Sequence, residues 1–319
     1  MAHQHSHNHT GHHHHHDEHG HEHHEHKDDT VKNLRIAFFL NLTFTIIEFV
    51  GGFFSNSMAV MTDAVHDLGD TIAIGSSLFF EKYSNRGRDS TYSYGYRRYS
   101  PMAAFVNCII LILGSVFMMV RAIPALFEPN EVKPGLMLIM AIAGIVFNGL
   151  AVLKLQHGHS HHGHEHSHNS NTVKLHLMED LLGWIAVLLG SVVIYFTGWH
   201  ILDPILSIAI AVYILFNAVK GILATGKILL QAVPDKAQLQ KLETALRAIP
   251  GVENVHDLHL WSLDGNYHVL TLHILPVKES GPSDFKRIQE TAAQLIKNEK
   301  IEHFTIQLDW DSHCHFGDC

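Results

Sequence analysis

Six stretches of the chain stay apolar for about twenty residues each, at about 32–54, 58–81, 100–121, 134–155, 173–196 and 202–224, and short polar links separate them. A helix needs roughly 20 apolar residues to cross the hydrocarbon core of a bilayer, so the pattern predicts six membrane-spanning helices. The link "SNS" (55–57) is so short that the first two helices must form a tight hairpin. The links "EPNEVKPG" (128–135) and "TGWHILDP" (197–204) carry the Gly and Pro that end helices. Asp203 before Pro204 reads as an N-cap followed by Pro at the first helical position. Beyond about residue 230 the apolar runs shorten and change period. Leu239, Leu242, Leu246 and Ile249 recur at helical spacing after Pro234-Asp235. "NVHDLHLWSL" and "YHVLTLHILPV" alternate as strands around a "DGN" turn at 264–266. "SDFKRIQETAAQLIKN" reads as an amphipathic helix with Ser283 as N-cap, and "HFTIQLDW" as a last strand. The order α-β-β-α-β predicts a small sheet covered by helices on one face, an α+β domain.

The expected division is a His-rich tail at 1–30, a six-helix transmembrane domain at 31–226 with a His-rich loop at 156–172, an α-β-β-α-β domain at 230–312 and a tail at 313–319. Lys and Arg set its orientation. Lys82, Arg86, Arg88, Arg97 and Arg98 crowd one loop, Lys27, Lys32 and Arg35 flank the first helix, and Lys154 and Lys174 flank the His-rich loop. The opposite loops hold little beyond Arg121 and Lys133. Both termini and the His-rich loop are therefore expected in the cytoplasm, with the chain multi-pass in an inner or plasma membrane.

Composition adds one anomaly. Of 31 histidines, fourteen fall between His3 and His26 and seven between His157 and His168. Tracts so poor in hydrophobic residues read as disordered metal collectors. The formal charge of −9 gives a nucleic-acid partner no electrostatic support. Three cysteines make no disulfide framework.

The chemistry lies inside the apolar runs, where ionisable groups are costly and mark function. The second run holds "DAVHDLGD" and the fifth "HLMED". His66 and Asp70 are four residues apart, as are His176 and Asp180, so each pair lies on one helix face. Brought together they make two imidazoles and two carboxylates, a set that suits tetrahedral Zn2+. Mg2+ or Ca2+ would want oxygen ligands alone. Two aspartates offset the charge of one Zn2+, and two protons can take its place when it leaves, which predicts zinc/proton antiport. Asp63, Asp67, Glu179 and Glu48 are candidates for orienting the ligands or lining a watery path, with no single role fixed for any of them. His200 reads as a plain loop histidine.

Together these residues resemble the cation diffusion facilitator family, in particular its zinc-exporting branch. The likeness rests on "SMAVMTDAVHDLGD", "YGYRR", "HLMED", "DPILSIAIAVYIL" and "HDLHLW", and runs from about 30 to 312. The resemblance implies a homodimer, alternating access around a central zinc, export driven by the proton gradient and a ferredoxin-like cytoplasmic domain. By the same likeness His66, Asp70, His176 and Asp180 match the transport site, and His at position 66 goes with zinc over cadmium. His256, His273, His303 and Asp309 match positions that bind zinc in the cytoplasmic domain. Strand parity agrees in part, since His303 and Asp309 share the polar face of the last strand and His273 lies off the apolar face of its own. His259 and Trp261 read as packing or interface residues. Ser100 stands where many relatives have Glu. Tyr92 and Tyr96 stand where some branches have metal-binding His, so no loop site of that kind is expected. Cys314 and Cys319 in the tail could lend a thiolate to a neighbouring subunit.

Two other classes compete. An intramembrane metalloprotease would need a motif such as His-Glu-x-x-His, which no span contains, and an open metal position. A membrane-bound metal sensor or store would use the same ligands without moving the ion. Co2+, Ni2+ or Cd2+ as main cargo also stays open.

Overall fold

The computed structural model describes residues 22–84, 88–157 and 167–309. For 22–34, 77, 80–84, 151–157, 167–177 and 179 only the backbone path is described. The His-rich tract before residue 22, most of the His-rich loop, and the tail with Cys314 and Cys319 lie outside these residues.

The six apolar runs form six long helices: α1 (Glu22–Ser55), α2 (Met58–Ser84), α3 (Tyr99–Ala125), α4 (Pro134–His157), α5 (Ser167–Thr197) and α6 (Leu202–Leu229). Among the described residues four stretches are long and apolar enough to cross a membrane: Arg35–Ser55, Tyr99–Ala125, Asp180–Thr197 and Leu202–Leu229. The apolar part of α4, Pro134–Leu150, is shorter. The helices pack as pairs, α1 on α2, α3 on α6 and α4 on α5, with α2 also lying against α3 and α6. Buried Phe44, Met137, Met140, Trp184 and Ile194 join α1, α4 and α5. Phe44 stacks on Phe147 with ring centroids 4.4 Å apart and meets Trp184 edge-on at 6.0 Å. Gly144 lets α4 lie directly on the Trp184 ring. Phe39, Phe53, Leu113, Phe117, Leu182, Leu189, Phe216 and Leu223 face outward. Water tolerates contiguous apolar surface of this kind badly, and lipid accepts it.

Asp203 departs from the expected cap. It is the second residue of α6, whose own N-cap, Ile201, offers no side-chain bond. Its carboxylate reaches across to α2 and accepts from Ser57 Oγ at 2.5 Å, Met58 N at 2.6 Å and Ala59 N at 3.3 Å. The donors left over at the start of α2 outcompete those of α6 because the hairpin turn presents three of them at once. His200 is likewise more than a loop residue, since its Nδ1 accepts from Val132 N at 3.3 Å.

After α6 the chain forms α7 (Lys236–Arg247), β1 (Val252–Ser262), β2 (His268–Pro276), α8 (Pro282–Asn298) and β3 (His303–Leu308), in the expected order. Asp235 caps α7 by accepting from Ala237 N and Gln238 N. The cap of α8 is Gly281 rather than Ser283: Pro282 takes the first helical position and the Asp284 carboxylate reaches back to Gly281 N at 3.1 Å. The sheet runs β1-β2-β3, with β1 antiparallel and β3 parallel to β2. Both helices cover one face, where Leu242 and Leu246 of α7 and Ile288, Ala292 and Ile296 of α8 bury Leu260, Leu270, Leu272 and Ile274. The polar face of the sheet is thus left free for other groups.

The loop before α3 touches this C-terminal unit. Arg97 Nη1 donates to Asp264 Oδ2 at 3.1 Å, its guanidinium lies 4.4 Å from the Tyr267 ring centre, and Tyr94 meets His303 edge-on at 5.5 Å.

Candidate metal centres

The first centre forms between α2 and α5. Four-residue spacing puts His66 and Asp70 on one face of α2, and Asp180 of α5 meets them there. His66 Nε2 lies 3.4 Å from Asp180 Oδ1 and 3.9 Å from Asp70 Oδ2. One ligand atom from each residue falls within 4.8 Å of the others, close enough for a single ion to touch all three. Of the four residues read from the sequence, three are therefore together. His176 lies on α5 one turn before Asp180, but its side chain is outside the described residues, as is that of Glu179.

Further carboxylates surround this group. Asp63 and Asp67 of α2 are buried, and Glu48 of α1 is buried completely. Glu48 stands within electrostatic reach of Asp67, Asp63 and Asp180. Asp63 Oδ2 is buried with no hydrogen-bond partner among the described residues, and the buried Glu48 carboxylate has only the neighbouring Asp67 carboxyl to share a proton with. Several acids in one low-dielectric place build a negative potential that favours entry of a divalent cation.

The second centre lies on the open polar face of the C-terminal sheet. His256 of β1 and His273 of β2 are direct cross-strand partners, with ring centroids 5.4 Å apart. Asp309 follows β3, and its N–H donates to Ile274 O at 3.0 Å, which carries its side chain to the same spot. Asp309 Oδ2 is 3.1 Å from His256 Nε2 and 2.9 Å from His273 Nδ1. Burial works against the Asp309 carboxylate, but hydrogen bonds with His273 and Gln307 and the two imidazoles outweigh it and hold the group below its usual range.

His303 is not brought into this group. It does share a strand face with Asp309, but six residues earlier, which is about 20 Å of extended chain. It pairs with Val269 at the far end of β2 and packs on Tyr94 instead. Two neighbours were not read from the sequence. Gln307, the cross-strand partner of His273, donates to Asp309 Oδ1 at 3.0 Å and orients that carboxylate. Asp257 lies in a register break of β1 between His256 and His259, with φ at +48°. Its carboxylate contacts His259 Nε2 at 2.7 Å and His273 Nε2 at 3.6 Å. Simple alternation would turn Asp257 away from His256, so only the bulge reveals it. His259 thus pairs with Asp257 rather than packing.

The loop before α3 binds its own groups. Asp89 Oδ1 accepts from Thr91 N and Tyr92 N, and Oδ2 accepts from Tyr96 OH at 2.9 Å. Tyr92 and Tyr99 share a hydroxyl hydrogen bond. No acidic residue occupies the first turn of α3, which matches Ser100 standing there.

Comparisons with known proteins agree on a family. The family described as "Cation efflux transmembrane domain" matches residues 34–230, and "Cation efflux protein, cytoplasmic domain" matches residues 234–310. The chain is 32% identical to "Zinc transporter ZitB" of Escherichia coli over 321 residues, covering 100% of this chain and 96% of the relative. It is 29% identical to the "Cadmium, cobalt and zinc/H(+)-K(+) antiporter" of Bacillus subtilis, covering 89% and 90%. It is 31% identical to "Metal cation efflux system protein CzcD" of Cupriavidus metallidurans, covering 87% and 86%.

Proposed function

The chain belongs to the cation diffusion facilitator, or cation efflux, family, and on that footing we propose that it exports Zn2+ from the cytoplasm in exchange for protons. It is a transporter of cations rather than an enzyme. The observation that carries the zinc reading is the meeting of His66 and Asp70 of α2 with Asp180 of α5 within 4.8 Å. His176, one turn from Asp180 on the same helix, supplies the fourth ligand. Two imidazoles and two carboxylates complete a tetrahedral set, and the relatives named "Zinc transporter ZitB" and "Cadmium, cobalt and zinc/H(+)-K(+) antiporter" support zinc among the cargo and protons among the counter-ions.

The mechanism follows from charge. The ion enters between α2 and α5, drawn by the surrounding carboxylates. Bound, it offsets Asp70 and Asp180. It can leave only as protons replace it, because two bare carboxylates in this setting are too costly. All six helices span the membrane, with both termini and the His-rich segments in the cytoplasm. The C-terminal unit is a ferredoxin-like cytoplasmic domain that joins two copies in a homodimer. Its His256, His273 and Asp309 hold a further zinc ion that adjusts the pairing of the subunits.

Zinc flux into proteoliposomes tests the proposal. The purified chain should move Zn2+ faster when a proton gradient opposes it, and Asp180→Ala should abolish movement while the protein stays folded. A flux that ignores the gradient would remove the antiport. Zinc binding at the α2–α5 centre without any flux would leave a sensor or store.

A further inference from the structure

Asp203 carries an inference that the ligand set does not. It is 1% exposed, sits on α6, and takes no part in either metal centre. Its two oxygens receive the N–H groups of Met58 and Ala59 and the hydroxyl of Ser57. Ser57 Oγ in turn accepts from Val60 N at 3.2 Å. The first three amides of α2 therefore all end on Asp203 or on the hydroxyl it holds. A carboxylate here also faces the positive end of the α2 dipole.

The contact continues inward. One turn on, Thr62 Oγ1 and Ser207 Oγ share a buried hydrogen bond of 2.7 Å. Asp203 and Ser207 are four apart on α6, as are Met58 and Thr62 on α2. The same four-residue stripe on α2 then reaches His66 and Asp70. The lock on α6 and the metal ligands are thus successive rungs of one helix face, about 12 Å apart from Met58 to His66. The end that Asp203 holds is stitched elsewhere too. Asn56 Nδ2 donates to Glu131 O at 3.0 Å, Lys133 N to Ser55 O at 2.8 Å, and Val132 N to His200 Nδ1. By contrast α2 touches α5 only briefly, so α2 takes its position from α1, α3 and α6.

We propose that Asp203 is a positioning residue for transport: it latches the outer end of α2 to α6, keeps the metal centre closed to the outside, and must part from α2 before cargo leaves outward. The proposal rests on the reading that residues 55–57 and 198–203 face away from the cytoplasm. Parting this latch inside protein would strand a carboxylate and three donors at once. Outer water replaces those partners only when the end opens, which makes the contact two-state. Asp203→Asn keeps the size of the side chain but turns an N–H2 toward donors, so it weakens the closed form selectively.

The test uses the full chain in sealed vesicles with Cys108, Cys314 and Cys319 replaced by Ser. Val60→Cys, at a position fully buried beside the latch, reports opening through reaction with a membrane-impermeant maleimide added outside. Asp203→Asn should speed this reaction about tenfold or more. It should also raise the KM for zinc presented from the cytoplasmic side, while equilibrium zinc binding stays within about twofold. Unchanged labelling in a dimeric, zinc-binding protein overturns the proposal. If Asp203→Asn does not fold, Thr62→Val with Ser207→Ala breaks the next rung alone, and unchanged labelling there overturns it equally. Glu128→Cys, on the exposed link at the same end, reports sidedness. Should it react only from the cytoplasmic side, the orientation is at fault and the outward assignment falls with it.

Discussion

Arg97 offers the sharpest test of how the two halves of the chain are joined. It leaves the loop before α3 and ends on the β1–β2 turn, where Asp264 Oδ2 accepts its Nη1 at 3.1 Å and the Tyr267 ring lies beneath its guanidinium at 4.4 Å. Asp264 has a second task, since its Oδ1 accepts from Asn266 N at 2.9 Å and Tyr267 N at 2.7 Å and so shapes the turn. Arg97→Ala removes one half-exposed ion pair, about 0–1 kcal/mol after screening, and one cation–π contact, about 0.5–1 kcal/mol. The docked state should lose about 0.5–2 kcal/mol, which speeds hydrogen exchange of the 262–268 backbone several-fold. Asp264→Ala should cost more, because it also unties the turn amides of Asn266 and Tyr267, about 1 kcal/mol each. The double variant should cost about 1 kcal/mol less than the sum of the two. The pH dependence has a definite sign. Burial alone would raise the Asp264 carboxyl, but the amides of Tyr267 and Asn266 and the Arg97 guanidinium outweigh it and hold it below the usual range. A depressed carboxyl stabilises the folded form fully above its unfolded value of about 3.9 and loses that contribution as pH falls through the folded value. The Arg97→Ala penalty should therefore be flat from about pH 5 to 8 and fade only below about pH 4. Additive single variants, or a penalty already gone at about pH 6, would refute the joint.

Other outcomes follow from the same geometry. Gly144→Ala drives a methyl group into the fully buried Trp184 ring, so thermal unfolding in detergent should show a loss of about 1–3 kcal/mol; because Trp184 is one turn from Asp180, zinc flux should fall as well. In calorimetry on the full chain with Asp180→Ala in the background, His273→Ala or Asp309→Ala should weaken cytoplasmic zinc binding about 100-fold or more. His303→Ala, at the far end of its strand, should leave that binding within about threefold. Removing residues 1–26 should leave the transport rate at saturating zinc unchanged, and slow it only when zinc is scarce.

Much of this was legible in the sequence because the physics involved is local. Apolar length marks helices, and each four-residue spacing fixes a helix face whatever the helix packs against. Leu242 and Leu246 announced their burial by period alone. The misplacements share a cause. Ser283 looked like a cap because Gly281 has no side chain to signal one, while Pro282 and Asp284 settled the start of α8 between them. Asp203 looked like the cap of its own helix because a sequence cannot say which of two helix ends an aspartate will face. His303 had the right strand face but the wrong distance along it. Parity fixes a face, whereas a metal centre also needs register, and register comes from pairing with Val269 and Ile274 on another strand. Asp257 was hidden by a bulge, which breaks the alternation that strand reading depends on.

The second helix shows how composition and the proposed function pull apart here. α2 is as long as α3, yet among the described residues no stretch of it is apolar enough to qualify as a span. The residues that lower its hydropathy are Asp63, Asp67 and Asp70, the acids that surround His66. A membrane helix keeps such groups only where something offsets them. Among the described residues Asp63 Oδ2 has no hydrogen-bond donor to do so, and the Glu48 carboxylate has only the neighbouring Asp67 carboxyl. On the proposed reading, the cargo or the protons that replace it offset them. On that reading the low hydropathy of α2 and its proposed metal binding are one property. Any change that makes α2 more lipid-like at these positions should make insertion easier and transport worse. Asp67→Leu is the direct case: the variant should insert and fold at least as well as the parent, and its zinc flux should fall. Flux retained at the parent's level would show that the acids around His66 do not shape the path of the ion.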